Sequence, residues 1–480
     1  MLRPYGEPEE QGTGMLLDRT RRHQMEIEQL IQKQRAFFAA GKTKDVKWRI
    51  GALQSLRRSI LLHQNEIEAA LQQDLKKSSF EGYMCEVGLV LSELNYMVSH
   101  LKGYAKDKKV LTPLTNFHAK SFTSPEPYGV VLVMSPWNYP FMLTIEPLIG
   151  AIAAGNCAVV KPSAYAPATS EVIELVIREC FEPHFVGVVQ GGRAENEQLL
   201  EQRFDFIFFT GSVSVGKLVM EKAAKHLTPV CLELGGKSPC IVDETANIKR
   251  AAQRIVFGKY LNVGQTCVAP DYLFVHEDVK DRLLAEIENC IRGQFGSDPL
   301  SNPDYGKIVN KKHFNRLLSL LESGTVKIGG ESKRETFQIE PTVLCDVTPE
   351  DPIMQQEIFG PILPVMTFGD IQEVIDYVTG HEKPLALYLF TGSKAVEKQI
   401  LKFCSFGGGC INDTIIHLAT SRMGFGGVGN SGMGSYHGRE SFELFSHRRS
   451  IVKKYNWLDL PIRYQPYTLF KRKLLEMFLR

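Results

Sequence analysis

From Arg19 to Leu75, and again from Cys85 to Tyr104, apolar residues recur at three- and four-residue spacing between charged ones. That period predicts helices burying one face. No proline falls between Pro8 and Pro113, which suits long helices. Segment 109–128 changes character: Val110, Leu111, Phe117 and Phe122 stand among three prolines and predict an extended, irregular excursion. From Gly129 the pattern alternates. Val130–Met134, Cys157–Val160, Phe185–Val189 and Phe204–Phe209 read as short buried strands. Between and after them, Leu143–Ala154, Ser170–Cys180, Glu195–Glu201 and Ser214–Ala224 read as helices. Strands alternating with helices imply a parallel sheet covered on both faces, with ligands at the carboxyl ends of its strands. A second alternation, from about Ile248 to Asn412, predicts a second α/β domain. Glycine then becomes dense, from Gly407 to Gly434, among bulky residues that argue for local backbone demands rather than low complexity.

The 480 residues, too many for one ordinary core, suit two or three domains. Forty-four per cent hydrophobic and 23% charged residues exclude a disordered chain. Fifty-six Lys plus Arg against 54 Asp plus Glu leave a net charge of +2, which argues against a dedicated nucleic-acid binder. The ten cysteines form no CxxC pair, so reduced thiols in a cytoplasmic protein are expected, with no metal ribbon. Met1–Met15 reads as a polar, flexible leader rather than a secretory signal. The longest apolar stretch, residues 129–160, is broken by Pro136, Asn138, Pro140, Glu146 and Asn156, which argues against a membrane span. The basic, apolar tail (residues 464–480) could cap a substrate entrance, make at most weak peripheral membrane contact, or simply pack.

Several short motifs carry chemistry. The strand ending at Phe209 runs into Thr210-Gly211-Ser212-Val213-Ser214-Val215-Gly216 and then a helix, an arrangement suited to an anion and equally to a plain turn. Cys267 ends Gly264-Gln265-Thr266-Cys267; a lone cysteine is more often a buried hydrophobe than a nucleophile. Glu233 lies between two leucines in Leu232-Glu233-Leu234-Gly235-Gly236-Lys237, with a salt bridge to Lys237 as the plainer alternative. Asn138, in Pro136-Trp137-Asn138-Tyr139-Pro140, follows the first strand and could present its amide to a ligand oxygen or merely make a turn. Lys161-Pro162-Ser163 ends the next strand, where the lysine could reach a ribose or sit in solvent. Glu357-Ile358-Phe359-Gly360-Pro361 could be only a loop before a strand.

Jointly and in this order, these motifs resemble the aldehyde dehydrogenase superfamily over about residues 20–460. The segments Phe425 to Gly434, Tyr436-His437-Gly438 and Phe445-Ser446-His447 are similar to its class 3 branch, which includes fatty, benzaldehyde-type and coniferyl aldehyde dehydrogenases. The resemblance implies a Rossmann-type cofactor domain (1–108, 128–235 and 431–444), an α/β catalytic domain (236–430) and a β bridging, oligomerisation element (109–127 and 445–455), with a tail from 456. It implies that Cys267 is the nucleophile, Glu233 the general base for hydrolysis of a thioester, and Asn138 with the Cys267 N–H the oxyanion hole. It further implies that Gly211, Ser212, Val213, Ser214, Val215 and Gly216 lie beneath a pyrophosphate, with Lys161 and Ser163 near the adenine ribose. Glu357 would hold the nicotinamide ribose, with Phe359 beside the ring and Trp137 on the cofactor side. Implied too are NAD as cofactor, an aldehyde as substrate, no metal and a homodimer.

One position departs from the family pattern: where a glutamate commonly grips the ribose, this chain has Ala164, which leaves NADP open beside NAD. A CoA-acylating enzyme is the alternative within the family, and Glu233 speaks against it, because a thiol acceptor needs no water-activating carboxylate. A non-catalytic scaffold is the alternative outside enzymes, and the intact Cys267 and Asn138 speak against that. Ile415, Ile416 and Met423, beside the expected entrance, favour aliphatic or aromatic aldehydes over charged ones.

Overall fold

The computed structural model describes residues 10–479, with side chains from Met25 onward. The fold is α/β. The expected leader falls largely on residues outside that range, and from Glu10 the chain is already in a helix ending at Ala39. Val46–Leu62, Gln64–Leu75 and Gly88–Tyr104 continue the helical opening. Gly41, at φ +78°, breaks it, and the Asp45 side chain caps the next helix by accepting from Lys47 N at 3.1 Å.

Two sheets follow. The first has six strands in the order Gly432–Met433, Val230–Leu234, Phe206–Gly211, Val130–Met134, Cys157–Lys161, Val186–Val188, parallel except for the first. Val130–Met134 and Cys157–Lys161 are buried throughout, as a strand covered on both faces must be. All of Met142–Ala154 is buried beside them. This helix ends at Gly155 (φ +98°), where a Cβ would stand 2.8 Å from the Arg49 guanidinium. Chain order reverses at Val130–Met134: the next strand lies on one side and Phe206–Gly211 on the other. A crevice therefore opens beyond Met134 and Gly211. The second sheet has seven strands, with Tyr272–His276 at its centre between Ile362–Phe368 and Pro239–Val242.

Segment 109–128 is more regular than its composition predicts. Ala119–Pro127 forms a nine-residue strand, paired antiparallel with Ser446–Lys454 along its length and with Lys108–Val110 at Ser121–Thr123 only. Pro125 and Pro127 lie beyond that short partner, where a missing N–H costs no ladder bond on the open side. The tail forms an exposed helix, Leu469–Phe478, against the short turns Pro461–Arg463 and Leu114–Asn116. Its residues do not line the cavities around Cys267. Among the described residues, no helix is long and apolar enough to cross a membrane.

Candidate active site

The helix Ile248–Tyr260 runs into a tight turn in which Asn262, Val263 and Gly264 all take positive φ (51°, 56° and 71°). A Cβ on residue 264 would collide with the Gly360 carbonyl, so glycine is required there. Buried amides hold the turn. Gln265 Nε2 donates to Lys307 O (3.0 Å), and its Oε1 accepts from Val309 N (3.0 Å). Asn138 Nδ2 donates to Gln265 O (3.1 Å), Asn262 Nδ2 donates to Asn138 O (2.7 Å), and Tyr139 Oη lies 2.7 Å from Thr266 Oγ1. The loop after the first sheet strand is thereby stitched to the loop that carries Cys267.

Cys267 borders two cavities. One, about 610 Å³, is lined by Trp137, Asn138, Thr210, Gly211, Ser212, Val213, Ser214, Glu233, Gly235, Glu357 and Phe359. The other, about 260 Å³, is almost wholly apolar, with Met84, Cys85, Leu143, Phe257, Ile415 and Phe425 in its wall. Ile416 also lines it, whereas Met423 does not. Burial pushes the Cys267 thiol up to about 12, helped by the nearby Glu357 and Glu233 carboxylates.

Glu233 is the penultimate residue of the strand Val230–Leu234 and is 3% exposed. Cys231 Sγ donates to its Oε1 at 3.9 Å, and among the described residues its Oε2 has no hydrogen-bond partner. Desolvation raises its pKa well above the carboxylate range. Lys237 does not compensate it: its ammonium pairs with Asp271 and donates to Ile353 O (3.0 Å) and Gln356 O (2.9 Å).

Glu357 is half-buried beside Gly235, whose missing Cβ makes room for its carboxylate. Burial first, then Asp271, pushes it up to about 8, and its Oε1 has no partner among the described residues. Phe359 meets the Trp137 ring edge-on at 5.4 Å. Ser212 caps the helix Val213–Ala224, accepting from Val215 N at 3.4 Å, which leaves the first-turn N–H of Val213 and Ser214 without helical partners. Gly216 lets that helix approach the sheet, because a Cβ there would stand 2.6 Å from Leu234 Cδ2. Carboxylate oxygens orphaned among the described residues, a helix start and an aromatic pair around one cavity of about 610 Å³ fit a dinucleotide.

Lys161, Ser163, Val215 and Gly216 do not line that cavity. Lys161 is neither solvated nor free: its Nζ donates to Pro162 O (2.8 Å) and Gly191 O (2.7 Å), and burial lowers its pKa to about 8. His313 and Arg316, which sequence reasoning passed over, do line it. Arg316 donates to Glu357 O (3.2 Å) and Ile358 O (2.5 Å), holding the Glu357 loop from the helix Lys311–Leu320. Their three-residue spacing on a helix was the available signal.

A half-buried cysteine and a buried carboxylate on one cavity, beside a doubly wound parallel sheet, fit an oxidoreductase of the dehydrogenase class. The aldehyde dehydrogenase family model matches residues 12–451, and the chain belongs to that family as an aldehyde-oxidising enzyme. It is 47% identical over 443 residues to 4,4'-diaponeurosporen-aldehyde dehydrogenase of Staphylococcus aureus, covering 92% of this chain and 96% of that one. It is 44% identical to human aldehyde dehydrogenase family 3 member B1, covering 91% and 94%. The solved substrate-bound state of Staphylococcus aureus AldH superposes with a TM-score of 0.93 at 46% identity, covering 95% of this chain and 99% of that one. Members of the family use NAD(P).

Proposed function

We propose that the chain oxidises apolar aldehydes to carboxylic acids with NAD(P) and water, through an acyl group carried on Cys267. The observation that carries this is the position of Cys267 between an almost wholly apolar cavity and a larger one whose wall also holds Asn138, Glu233 and Glu357. The thiol gives its proton to solvent, its sulfur bonds to the aldehyde carbon, and the carbonyl π pair moves onto oxygen, giving the alkoxide of a thiohemiacetal. Asn138 Nδ2 and the Cys267 N–H are the donors for the resulting alkoxide, each contributing about 3 kcal/mol in the transition state. When bound in the larger cavity, NAD(P) supplies the hydride acceptor, with Gly211 to Ser214, Glu357, Phe359 and Trp137 as the residues that would hold it. The acyl group is then a thioester on Cys267. Glu233 takes a proton from water, the hydroxide adds to the acyl carbon, and the carboxylic acid leaves as the thiol reforms.

The assay is NADH formation without CoA over a panel including hexanal, benzaldehyde, hexadecanal and succinic semialdehyde. The apolar cavity predicts turnover of the first three. It predicts a kcat/KM about 10²-fold lower for the carboxylate-bearing aldehyde, the cost of an unpaired charge against apolar walls. Strict dependence on CoA would favour the acylating alternative.

NADP use is supported by Ala164, which is exposed and offers no carboxylate to repel a 2′-phosphate. Lys161 itself lies deeper, with its ammonium on the Pro162 and Gly191 carbonyls and the Glu195 carboxylate close by. The expected kcat/KM ratio of the two cofactors is within about tenfold, and Ala164→Glu lowers the NADP value by about tenfold or more, the scale of one charge-assisted hydrogen bond. A wild type preferring NAD a thousandfold, unchanged in the variant, would end that idea.

The three-part division and a homodimer complete the reading. Both are supported by the separate three-stranded sheet, whose edge strand Ser446–Lys454 has, among the described residues, an unpaired side suited to a second copy.

A further inference from the structure

Behind the Cys267 site lies a buried ion pair that the proposed chemistry does not use. Lys77 and Glu86 are 1% and 0% exposed, and their Nζ and Oε1 atoms are 2.5 Å apart. Glu86 stands in a single π-helical turn, Tyr83–Val87, a local distortion that recurs at functional sites. Its second oxygen accepts from Phe141 N (2.8 Å) and Met142 N (3.1 Å), capping the helix Met142–Ala154 that follows the Asn138 loop. Lys77 Nζ donates to the Asn138 carbonyl (2.9 Å) and lies 4.0 Å from the centre of the Tyr139 ring. Nearby Glu81 Oε1 accepts from Asn262 N (3.0 Å), so the same segment also holds the turn leading to Cys267.

Burying such a pair is costly, and an apolar pair of similar volume generally serves stability as well or better. What this pair does instead is geometric. The Asn138 carbonyl receives two donors, Lys77 Nζ and Asn262 Nδ2, and the peptide N–H groups at the far end of the loop are gripped by Glu86. One charge pair therefore holds the loop at its middle, on Asn138 itself, and at its far end, on Phe141 and Met142.

We propose that Lys77 and Glu86 are positioning residues for the oxyanion site, holding the Asn138 backbone so that its amide meets the aldehyde oxygen as that oxygen becomes an alkoxide. The inference rests on Asn138 being an oxyanion donor. A misplacement of about 1 Å at such a donor costs about 10²-fold in rate.

The test measures the NADH burst rate with hexanal, the steady-state kcat, and NAD affinity by fluorescence in the full chain. The variants are Glu86→Gln, the double Lys77→Met/Glu86→Gln, which leaves no lone buried charge, Asn138→Ala, and the triple combination. The expected result for the double is a burst slowed by about 30–100-fold with NAD affinity within about twofold of wild type. Adding the double to Asn138→Ala should slow the burst little further, because a donor already absent cannot be misplaced. A burst at the wild-type rate in the double, an equal loss of NAD affinity, or full additivity with Asn138→Ala would overturn the positioning role. Should the double fail to fold, Glu86→Gln is read by the same criteria. Wild-type kinetics in Asn138→Ala would instead remove the oxyanion assignment itself, and the inference with it.

Discussion

Replacing Cys267 with alanine should abolish NADH formation altogether, whereas Glu233→Gln should still release a rapid burst before turnover stalls. The two residues act at different times. Without the Cys267 sulfur no covalent adduct forms, and losing a covalent nucleophile costs on the order of 10⁶-fold. Glu233 acts only after the acyl group is in place, so glutamine leaves the first half of the reaction intact. Turnover should drop by about 10²–10⁴-fold, the range for a lost general base. The structure makes this contrast testable because, among the described residues, the Glu233 carboxylate has no charged partner and is held only by the long Cys231 thiol contact. Its Oε2 is orphaned among the described residues, and Lys237 is committed to Asp271. Removing its charge therefore breaks no ion pair, and glutamine keeps its shape. Stopped-flow absorbance at the NADH band resolves the burst. Equal loss of the burst in both variants would remove Glu233 from the deacylation step.

The strands of the first sheet were legible because a parallel strand buried on both faces is a continuous apolar run. Val130–Met134 and Cys157–Lys161 need no partner to be recognised. Ala119–Pro127 was not legible from its own residues, and only the family resemblance implied a β element there and at 445–455. Its residues are half-exposed, two of its positions are prolines, and its nine-residue pairing is with Ser446–Lys454, more than three hundred residues away. Candidate site residues divide in the same manner. Cys267, Glu233 and Asn138 stand in short motifs whose local sequence marks a strand end or a tight turn. The partners that give them their environment come from elsewhere: Asp271 for Lys237, Gly191 for Lys161, Lys77 for Asn138. Lys161 illustrates the limit. Sequence placed it at a strand end facing a ligand or solvent, and neither reading contained the Gly191 carbonyl that turns its ammonium inward. The apolar cavity was legible only in part: Ile415 and Ile416 were singled out, whereas Met84, Phe257 and Phe425 come from three distant segments.

The pH profile of turnover should rise through a limb set by Glu233 and then level off, while the acylation burst keeps rising. A general base works only when deprotonated. Burial raises the Glu233 pKa well above the usual carboxylate range, so the residue is still largely protonated at pH values where an exposed glutamate would be fully charged. Below that raised pKa the ionised fraction, and with it deacylation, falls about tenfold per pH unit. Above it the limb flattens. Acylation follows a different group: the Cys267 thiol is pushed up to about 12, so its thiolate fraction grows across the whole accessible range without a plateau. In Glu233→Gln the turnover limb should disappear. Cys231→Ser offers an independent check, because a hydroxyl at the position of the Cys231 thiol would donate a stronger hydrogen bond to the ionised Glu233 than the present 3.9 Å contact. Hydrogen bonding to the charged form favours it, so the limb should move to lower pH in that variant while the burst profile stays where it was. A turnover profile that keeps its limb in Glu233→Gln, or a Cys231→Ser shift toward higher pH, would show that another group governs the hydrolysis.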